Sequence, residues 1–207
     1  SILENFEKLN PGELLEIKDL VVKKEKYYSI PYTPNQYKFT DYKKAQNTLR
    51  DLLEESVAKR LVSDVPLGAF LSGGVDSSLV ASLMQKNSMN KIQTFTVGFN
   101  ERSYNEAEYA KKVALHLGTE HTELYISPEQ AINVIPKLPL IYDEPFADSS
   151  QIPTHLVFCR ARSEMKVALS GDGGDELFGG YNRYFWAQRI WNKVAWLPKP
   201  LRSILSN

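Results

Sequence analysis

Two adjacent glycines join an apolar run to a helix-like run in the sequence Val65-Pro66-Leu67-Gly68-Ala69-Phe70-Leu71-Ser72-Gly73-Gly74-Val75-Asp76-Ser77-Ser78-Leu79-Val80-Ala81-Ser82-Leu83-Met84. This order predicts a buried strand, a tight turn and an α-helix. Glycines let the backbone turn sharply and approach a ligand, and the N–H groups of the first helical turn form a site for an anion. We therefore expect a phosphate group to bind where the strand meets the helix.

The composition of this loop excludes two common phosphate-binding motifs. A Walker A loop needs a Lys before its Ser or Thr, and the dinucleotide fingerprint needs a third glycine; the loop has neither. Ser72, Ser77 and Ser78 can hold phosphate oxygens, whereas Asp76 would repel them unless a divalent cation lay between. The loop therefore predicts Mg²⁺ together with phosphate. The alternative is an ordinary strand-to-helix turn in which Asp76, with Ser77 or Ser78, caps the helix.

A second loop rich in glycine and acids follows the apolar residues 167–169 and reads Ser170-Gly171-Asp172-Gly173-Gly174-Asp175-Glu176-Leu177-Phe178-Gly179-Gly180-Tyr181. Open parallel sheets bind ligands beyond the carboxyl ends of their strands, so two such loops can share one site. The alternative for the second loop, taken alone, is a solvated turn rich in Gly and Asp.

The first loop resembles the pyrophosphate-binding loop of the N-type ATP pyrophosphatases, which split ATP between its α- and β-phosphates to adenylate a substrate. With the second loop and the segment Tyr142-Asp143-Glu144-Pro145-Phe146-Ala147-Asp148-Ser149-Ser150, the chain resembles the synthetase domain of glutamine-hydrolysing asparagine synthetases from about residue 45 to about residue 190. The resemblance implies an adenine nucleotide alpha hydrolase-like α/β fold, ATP and Mg²⁺ as cofactors, and aspartate and ammonia as substrates. The ammonia would come from glutamine, through a glutaminase domain of the same full-length chain.

The same resemblance implies roles for individual residues. Asp76 and Asp175 would hold the metal, and Asp172 would be the catalytic residue that lies near the aspartyl-adenylate. Many members carry Glu at the position of Asp172, so the reach of this shorter carboxylate stays open. Without the resemblance, Val97 is interpreted as a core residue, which is the ordinary role of a Val in a buried parallel strand. The implied ATP and pyrophosphate site comprises Leu71, Ser72, Gly73, Gly74, Asp76, Ser77, Ser78, Val97, Ser170 and Gly171.

Strand-like and helix-like segments alternate along the rest of the chain. Helical spacing of apolar residues is present at 41–63 and 105–117, and another helix is predicted at about 151–163. Strand-like runs occupy 92–99, 121–126 and 165–170. Gly118 is typical of a helix end, and Ser127 with Gln130 is typical of a capping box. The alternation predicts right-handed crossovers and a parallel sheet with helices on both faces.

Composition limits the possible classes of protein. A chain of 207 residues with 43% hydrophobic residues can bury one sizeable core. Lys+Arg and Asp+Glu are both 25, so there is no basic excess of the kind that nucleic-acid binders use. One cysteine, Cys159, suits a reducing compartment, and we expect it in the core. With no long apolar stretch and no signal pattern, the chain is expected to be cytoplasmic and not membrane-bound. Its partners can include a second copy in a homodimer.

Two segments suggest a piece of a longer enzyme. Residues 1–40 are interpreted as the end of the glutaminase domain plus a linker, because Asn10-Pro11-Gly12-Glu13-Leu14-Leu15-Glu16-Ile17 resembles the last hairpin of that domain. Residues 41–207 would be an ATP pyrophosphatase domain that is incomplete at its C-terminus and inactive alone, with Trp186, Trp191 and Trp196 left exposed. Two other functions remain open: a related amide ligase acting on another carboxylate or a sugar, and an ATP-binding module without catalysis.

Overall fold

A computed structural model describes residues 3–30, 41–99, 105–198 and 202 of the chain. It contains an antiparallel hairpin followed by a four-stranded parallel sheet with helices. The strands are β1 (Glu13–Lys18), β2 (Val21–Lys26), β3 (Leu67–Phe70), β4 (Gln93–Phe99), β5 (Glu120–Ile126) and β6 (Val167–Leu169). The helices are α1 (Tyr42–Arg60), α2 (Val75–Lys86), α3 (Ala107–Leu117), α4 (Pro128–Ile132), α5 (Leu138–Ile141), α6 (Gln151–Ala161), α7 (Gly174–Phe178) and α8 (Asn182–Val194).

The parallel strands lie in the order β5-β4-β3-β6. The chain moves outward from β3 through β4 to β5 and then returns to place β6 on the other side of β3. Ala69 pairs with Thr94 of β4 on one side and with Leu169 of β6 on the other. The carboxyl ends of β3 and β6 are therefore neighbours, and the two loops rich in glycine start side by side at the point where the strand order reverses.

Helices cover both faces of this sheet, because alternate residues of each strand point to opposite sides. Ala69 and Leu71 pack with buried residues of α1, α2 and α3, including Met84. Phe95 packs on the other face against Val157 of α6. The predicted α/β class, with a parallel sheet and helices on both faces, is confirmed.

Local sequence signals set most element boundaries. The Asp41 side chain accepts hydrogen bonds from the N–H groups of Lys43 and Lys44 and so starts α1. Gly118 ends α3 in the left-handed conformation, at φ 73°. The predicted capping box of Ser127 and Gln130 is present at the start of α4. That helix has only five residues, and a short 3₁₀ turn (Ile135–Lys137) and α5 follow, each with a proline in its first turn.

The hairpin β1-β2 turns at Asp19 and Leu20, which both have positive φ angles (49° and 63°), as the two-residue turns of twisted hairpins require. The segment from Asn10 to Ile17, which was predicted to resemble a hairpin, thus contains most of β1, the first strand of the observed hairpin. Hydrogen bonds from Asn10 lower the pKa of Glu13 to about 2. The assignment of residues 1–40 to another domain stays a prediction, and residues 31–40 lie outside the described residues.

Two surface features complete the fold. The predicted exposure of the tryptophans is confirmed, since the exposed fractions of Trp186, Trp191 and Trp196 are 60%, 53% and 77%. The expectation of a buried Cys159 is wrong, because this residue is exposed. Helix α6 turns Val157 toward the sheet, and a residue two positions further along a helix points away from that side. No helix within the described ranges is long and apolar enough to span a bilayer.

Candidate functional site

The loop after β3 is held by its own serines. The hydroxyl oxygens of Ser72 and Ser77 are 2.9 Å apart, and the N–H group of Ser72 donates to Ser77 Oγ at 3.2 Å. Ser77 Oγ also donates to the carbonyl oxygen of Gly74, whose N–H group donates to Ser72 Oγ. Ser77 is buried and Ser72 is exposed. The buried hydroxyl therefore shapes the loop, while Ser72 remains accessible to a ligand.

Gly73 brings this loop against the start of α3. It has a φ of 80°, and a Cβ atom at this position would lie 2.7 Å from the backbone nitrogen of Ala110 and from Cβ of Tyr109. A side chain would thus meet both backbone strain and a steric clash. The structure gives Gly73 a role in shaping the loop.

The first turn of α2 has no side-chain cap. The N-cap is Gly74, and its helix begins without a capping hydrogen bond from Asp76, Ser77 or Ser78. The alternative interpretation of these side chains as helix caps is therefore wrong. Helix starts leave N–H groups without intrahelical partners, and these groups at the start of α2 are available to an anion.

The second loop packs directly on this helix start. A Cβ atom at Gly171 would lie 2.7 Å from the backbone nitrogen of Ser77, and one at Gly174 would lie 2.5 Å from Oδ2 of Asp76. Only glycine permits both approaches. The two loops are therefore in contact, and the Asp76 carboxylate lies on the backbone that precedes Asp175.

Acids of the second loop are each held by a neighbour. Ser170 Oγ donates to Oδ2 of Asp172 at 2.9 Å, and it accepts from the Asp172 N–H group at 3.3 Å. Asp175 lies in the first turn of α7, where its carboxylate contacts the backbone of Gly180. These contacts fix two carboxylates at the mouth of the loop.

Beside Asp175, Glu176 and Tyr181 form a tight pair. Tyr181 donates its hydroxyl hydrogen to Oε1 of Glu176 at 2.6 Å. This bond lowers the pKa of Glu176 and raises the pKa of Tyr181 to about 12. The guanidinium of Arg183 lies 4.0 Å from the centre of the Tyr181 ring. The pair ties α7 to the start of α8.

A cavity of about 780 Å³ opens between the two loops, the carboxyl ends of the strands and α6. Most of the residues predicted for the site line it: Leu71, Ser72, Gly74, Asp76, Ser77, Val97, Ser170, Gly171, Asp172 and Asp175. Gly73 and Ser78 do not line it. The Ser78 hydroxyl is buried and has no hydrogen-bond partner within the described ranges.

Sequence reasoning missed the wall that α6 contributes. Pro153, Thr154, Val157 and Phe158 line the cavity, and Phe70 and Phe95 from the strands complete this apolar side. The upstream segment 142–150 does not line the cavity, although it leads into α6. The sequence predicted a helix at about 151–163, in agreement with α6, but it did not tell which residues of this helix face the cavity.

The sequence profile of the asparagine synthase family matches residues 48–207, which include both loops and α6. The chain belongs to the asparagine synthase family. Among its asparagine synthase relatives, the glutamine-hydrolyzing asparagine synthetase 1 of Bacillus subtilis is 40% identical over 181 residues, which are 87% of this chain and 28% of that protein. A putative glutamine-hydrolyzing asparagine synthetase 2 of Methanocaldococcus jannaschii is 39% identical over an alignment of 208 positions, which covers 99% of this chain and 39% of that protein.

The chain thus spans well under half the length of these two relatives. Among solved structures, a glutamine-dependent NAD⁺ synthetase from Acinetobacter baumannii in complex with ADP aligns with a TM-score of 0.48 at 18% identity. That alignment covers 76% of this chain and 30% of the other. The family assignment rests on the sequence matches.

Proposed function

We propose that this chain supplies the synthetase site of a glutamine-hydrolysing asparagine synthetase. In the proposed reaction, an oxygen of the aspartate side-chain carboxylate attacks the α-phosphorus of ATP, and the bond to the β-phosphate oxygen breaks to release pyrophosphate. Ammonia then attacks the acyl carbon and displaces AMP, losing a proton to give the amide. The observation that carries the proposal is the contact between the two loops, since Gly171 and Gly174 lie against Ser77 and Asp76 at one cavity.

ATP fits the two chemical halves of this cavity. Phe70, Phe95 and Val157 give one side an apolar lining suited to a purine ring. Leu71, which directly follows β3, and Val97 of β4 also line the cavity. The α2 start and the Ser72 hydroxyl give the other side N–H and O–H donors suited to the pyrophosphate. The nucleotide would therefore lie across the carboxyl ends of β3 and β4.

The residues also fit a Mg²⁺ ion. Asp76 and Asp175 approach the cavity from adjoining loops. Within the described ranges there is no group of three or more His, Cys, Asp or Glu side chains that could hold a metal by itself. This matches Mg²⁺, which is usually held by one or two carboxylates, waters and the substrate's phosphates. When bound, the cation would neutralise charge on the phosphates.

The protein's contribution to catalysis would be mainly electrostatic. N–H groups at the α2 start would stabilise the leaving pyrophosphate, because fixed dipoles need no rearrangement as charge develops. Asp172, held by Ser170, would lie beside the activated acyl group. Its carboxylate would interact with the incoming ammonia as positive charge develops on nitrogen.

Several features of the complete enzyme belong to the same proposal. Glutamine would be hydrolysed by a glutaminase domain of the full-length chain, and residues 1–40 would be the end of that domain and a linker. The domain formed by 41–207 would need further sequence to be active. We place the enzyme in the cytoplasm and include a homodimer among its possible assemblies.

Calorimetric titration of this chain with ATP, with and without Mg²⁺, tests the site. We expect binding that depends on Mg²⁺ and weakens strongly in Asp76→Asn, because the substitution removes a carboxylate but keeps its shape. Asp51→Asn is the matched control, since Asp51 is exposed on α1. Equal ATP affinity in Asp76→Asn and Asp51→Asn would reject the metal-bridged site.

A product assay on the complete enzyme tests the reaction. With ATP, Mg²⁺, aspartate and an ammonium salt, we expect equal amounts of AMP and pyrophosphate that depend on aspartate. ADP and phosphate would reject the adenylation mechanism. Binding of ATP without any pyrophosphate release would favour a nucleotide-binding module.

A further inference from the structure

A second cavity, of about 540 Å³, lies on the far side of α6 from the nucleotide site. Its lining combines an apolar wall with four polar residues of α6 and the segment after it: His155, Cys159, Arg162 and Lys166. Apolar cavities with a few convergent polar groups are typical of small-molecule sites. Neither the proposed reaction nor the family match gives this cavity a role.

A thiol and an imidazole meet in this cavity. Sγ of Cys159 lies 3.5 Å from Nε2 of His155, one helical turn earlier on α6. The thiol is exposed, so a reagent can reach it. A thiolate is the reactive form of cysteine, and a neighbouring imidazole can accept the thiol proton. The geometry is that of a nucleophile beside its base.

The same cavity is positively charged. Arg162 and Lys166 line it, and neither forms an ion pair with a carboxylate of the described residues. The next charged neighbours, Arg160 and Glu164, pair with each other instead. The two cations therefore favour the approach of an anionic reagent.

One wall separates this cavity from the nucleotide site. Phe70 and Phe158 line both cavities, and their rings meet edge to face with centroids 4.7 Å apart. Cys159 directly follows Phe158 on the helix. A group attached to Cys159 would press on this aromatic pair from the side opposite the nucleotide.

We propose that Cys159 is a modification site for small anionic disulfides of the glutathione type. His155 accepts the thiol proton, and the thiolate attacks one sulfur of the disulfide. The disulfide's own S–S bond breaks, a Cys159–S–S–R bond forms, and the leaving thiolate takes up the proton as R–SH. No other oxidant is needed, since the incoming disulfide is reduced as Cys159 is oxidised.

Intact-mass measurement of adduct formation with oxidised glutathione tests the proposal. The chain has one cysteine, so each added glutathione reports on Cys159. We expect the folded chain to react several-fold faster than the same chain unfolded in urea, because folding assembles the imidazole and the cations around the thiol. Equal or slower reaction of the folded chain would overturn the proposal without any variant.

Variants separate the contribution of the His155 imidazole from that of the two cations. His155→Gln should slow the reaction with both oxidised glutathione and neutral 2-hydroxyethyl disulfide. Arg162→Gln with Lys166→Gln should slow only the reaction with the anionic disulfide. The matched control is Lys59→Gln with Arg60→Gln, which removes two charges from α1 on the other face of the sheet. Wild-type rates in His155→Gln, or equal slowing by the two double variants, would contradict the site.

The link to the nucleotide cavity rests on the proposed function and has its own measurement. Glutathione attached to Cys159 should weaken ATP binding, and its removal with dithiothreitol should restore it. Unchanged ATP affinity of the modified chain would overturn the link alone. Absence of ATP binding in the unmodified chain would count against the proposed function and leave the reactivity of Cys159 as measured.

Discussion

The carboxylate of Asp76 lies against the backbone of Gly174, so closely that a Cβ atom at position 174 would sit 2.5 Å from Oδ2 of Asp76. Asp76 lies in the first turn of α2, which follows β3, and Gly174 lies in the first turn of α7, which follows β6. Their contact places the acid between the helix start that would hold pyrophosphate and the loop that carries Asp175. The site therefore depends on glycine at position 174, because a side chain there would collide with the Asp76 carboxylate.

Gly174→Ala is therefore expected to displace the Asp76 carboxylate and to abolish Mg²⁺-dependent ATP binding while the fold is kept. Titration calorimetry measures the binding, and circular dichroism checks the fold. Gly118→Ala is the control, because no heavy atom lies within 4 Å of its added Cβ. It should lose about 1 kcal/mol of stability through its positive φ and bind ATP normally. Normal binding by Gly174→Ala would show that Asp76 is not the group that holds the metal.

Ser77→Ala should destabilise the chain by about 1 kcal/mol, because it leaves the Ser72 N–H group without its acceptor. ATP affinity should fall as well, since the loop loses its internal bonds. Ser82→Ala makes the same change on the same helix, where the hydroxyl only donates back to the Leu79 carbonyl. That control should alter stability by no more than about 0.5 kcal/mol in urea unfolding. Equal effects of the two substitutions would count against the role of Ser77.

Phe95→Ala is expected to lower the free energy of unfolding by about 3–5 kcal/mol, because this residue of β4 is 2% exposed and packs against α6. Phe185→Ala removes the same ring from the surface of α8, where the residue is 61% exposed. Its effect should stay within about 0.5 kcal/mol. Urea unfolding of both variants measures the difference, and similar losses would place Phe95 outside the core.

Stability should also fall as pH drops below about 6.5, partly through His121. Burial lowers the pKa of His121 below its usual 6.5, Glu123 opposes this shift, and Lys111 adds to it. The Nδ1 atom lies 2.9 Å from Thr94 Oγ1, and Nε2 is buried with no partner in the described part of the chain. Between the lowered pKa and 6.5 the unfolded chain binds more protons, so folding loses free energy as pH falls through this window.

His121→Gln should flatten this decline, whereas His116→Gln should not, because His116 is exposed near the end of α3. Urea unfolding at about pH 7.5 and about pH 5.5 measures the difference. The same decline in His121→Gln as in the parent chain would assign the pH dependence to other groups.

Local signals in the sequence predicted most of the sheet and the loop that leads into α2. Adjacent glycines, capping residues and β-branched runs act over a few positions, so they can be read without knowing the fold. The order of β3 and β6 as neighbours agreed with the expectation that the two acid-bearing loops share a site. Gly73 packs against α3, which lies more than 30 residues further along the chain, so the sequence around Gly73 could not predict this contact.

The sequence could not predict which side of α6 faces the sheet. Its apolar residues Ile152, Leu156, Val157 and Phe158 lie on more than one side of the helix, so periodicity does not define a buried face. Because no buried face could be defined, Cys159 was expected in the core, whereas it is exposed. Only packing against β3 and β4 decides that Val157 faces inward.

The pairing of Leu67 with Val167 joins positions that are 100 residues apart in the chain. Closing a loop of that length costs on the order of 4 kcal/mol of chain entropy, which contacts between β3 and β6 must offset. We therefore expect the two halves of the site to come together only when this long-range pairing forms, later in folding than the local hairpin. A nucleotide held between them would stabilise that closure, and thus the whole sheet, through linkage between binding and folding.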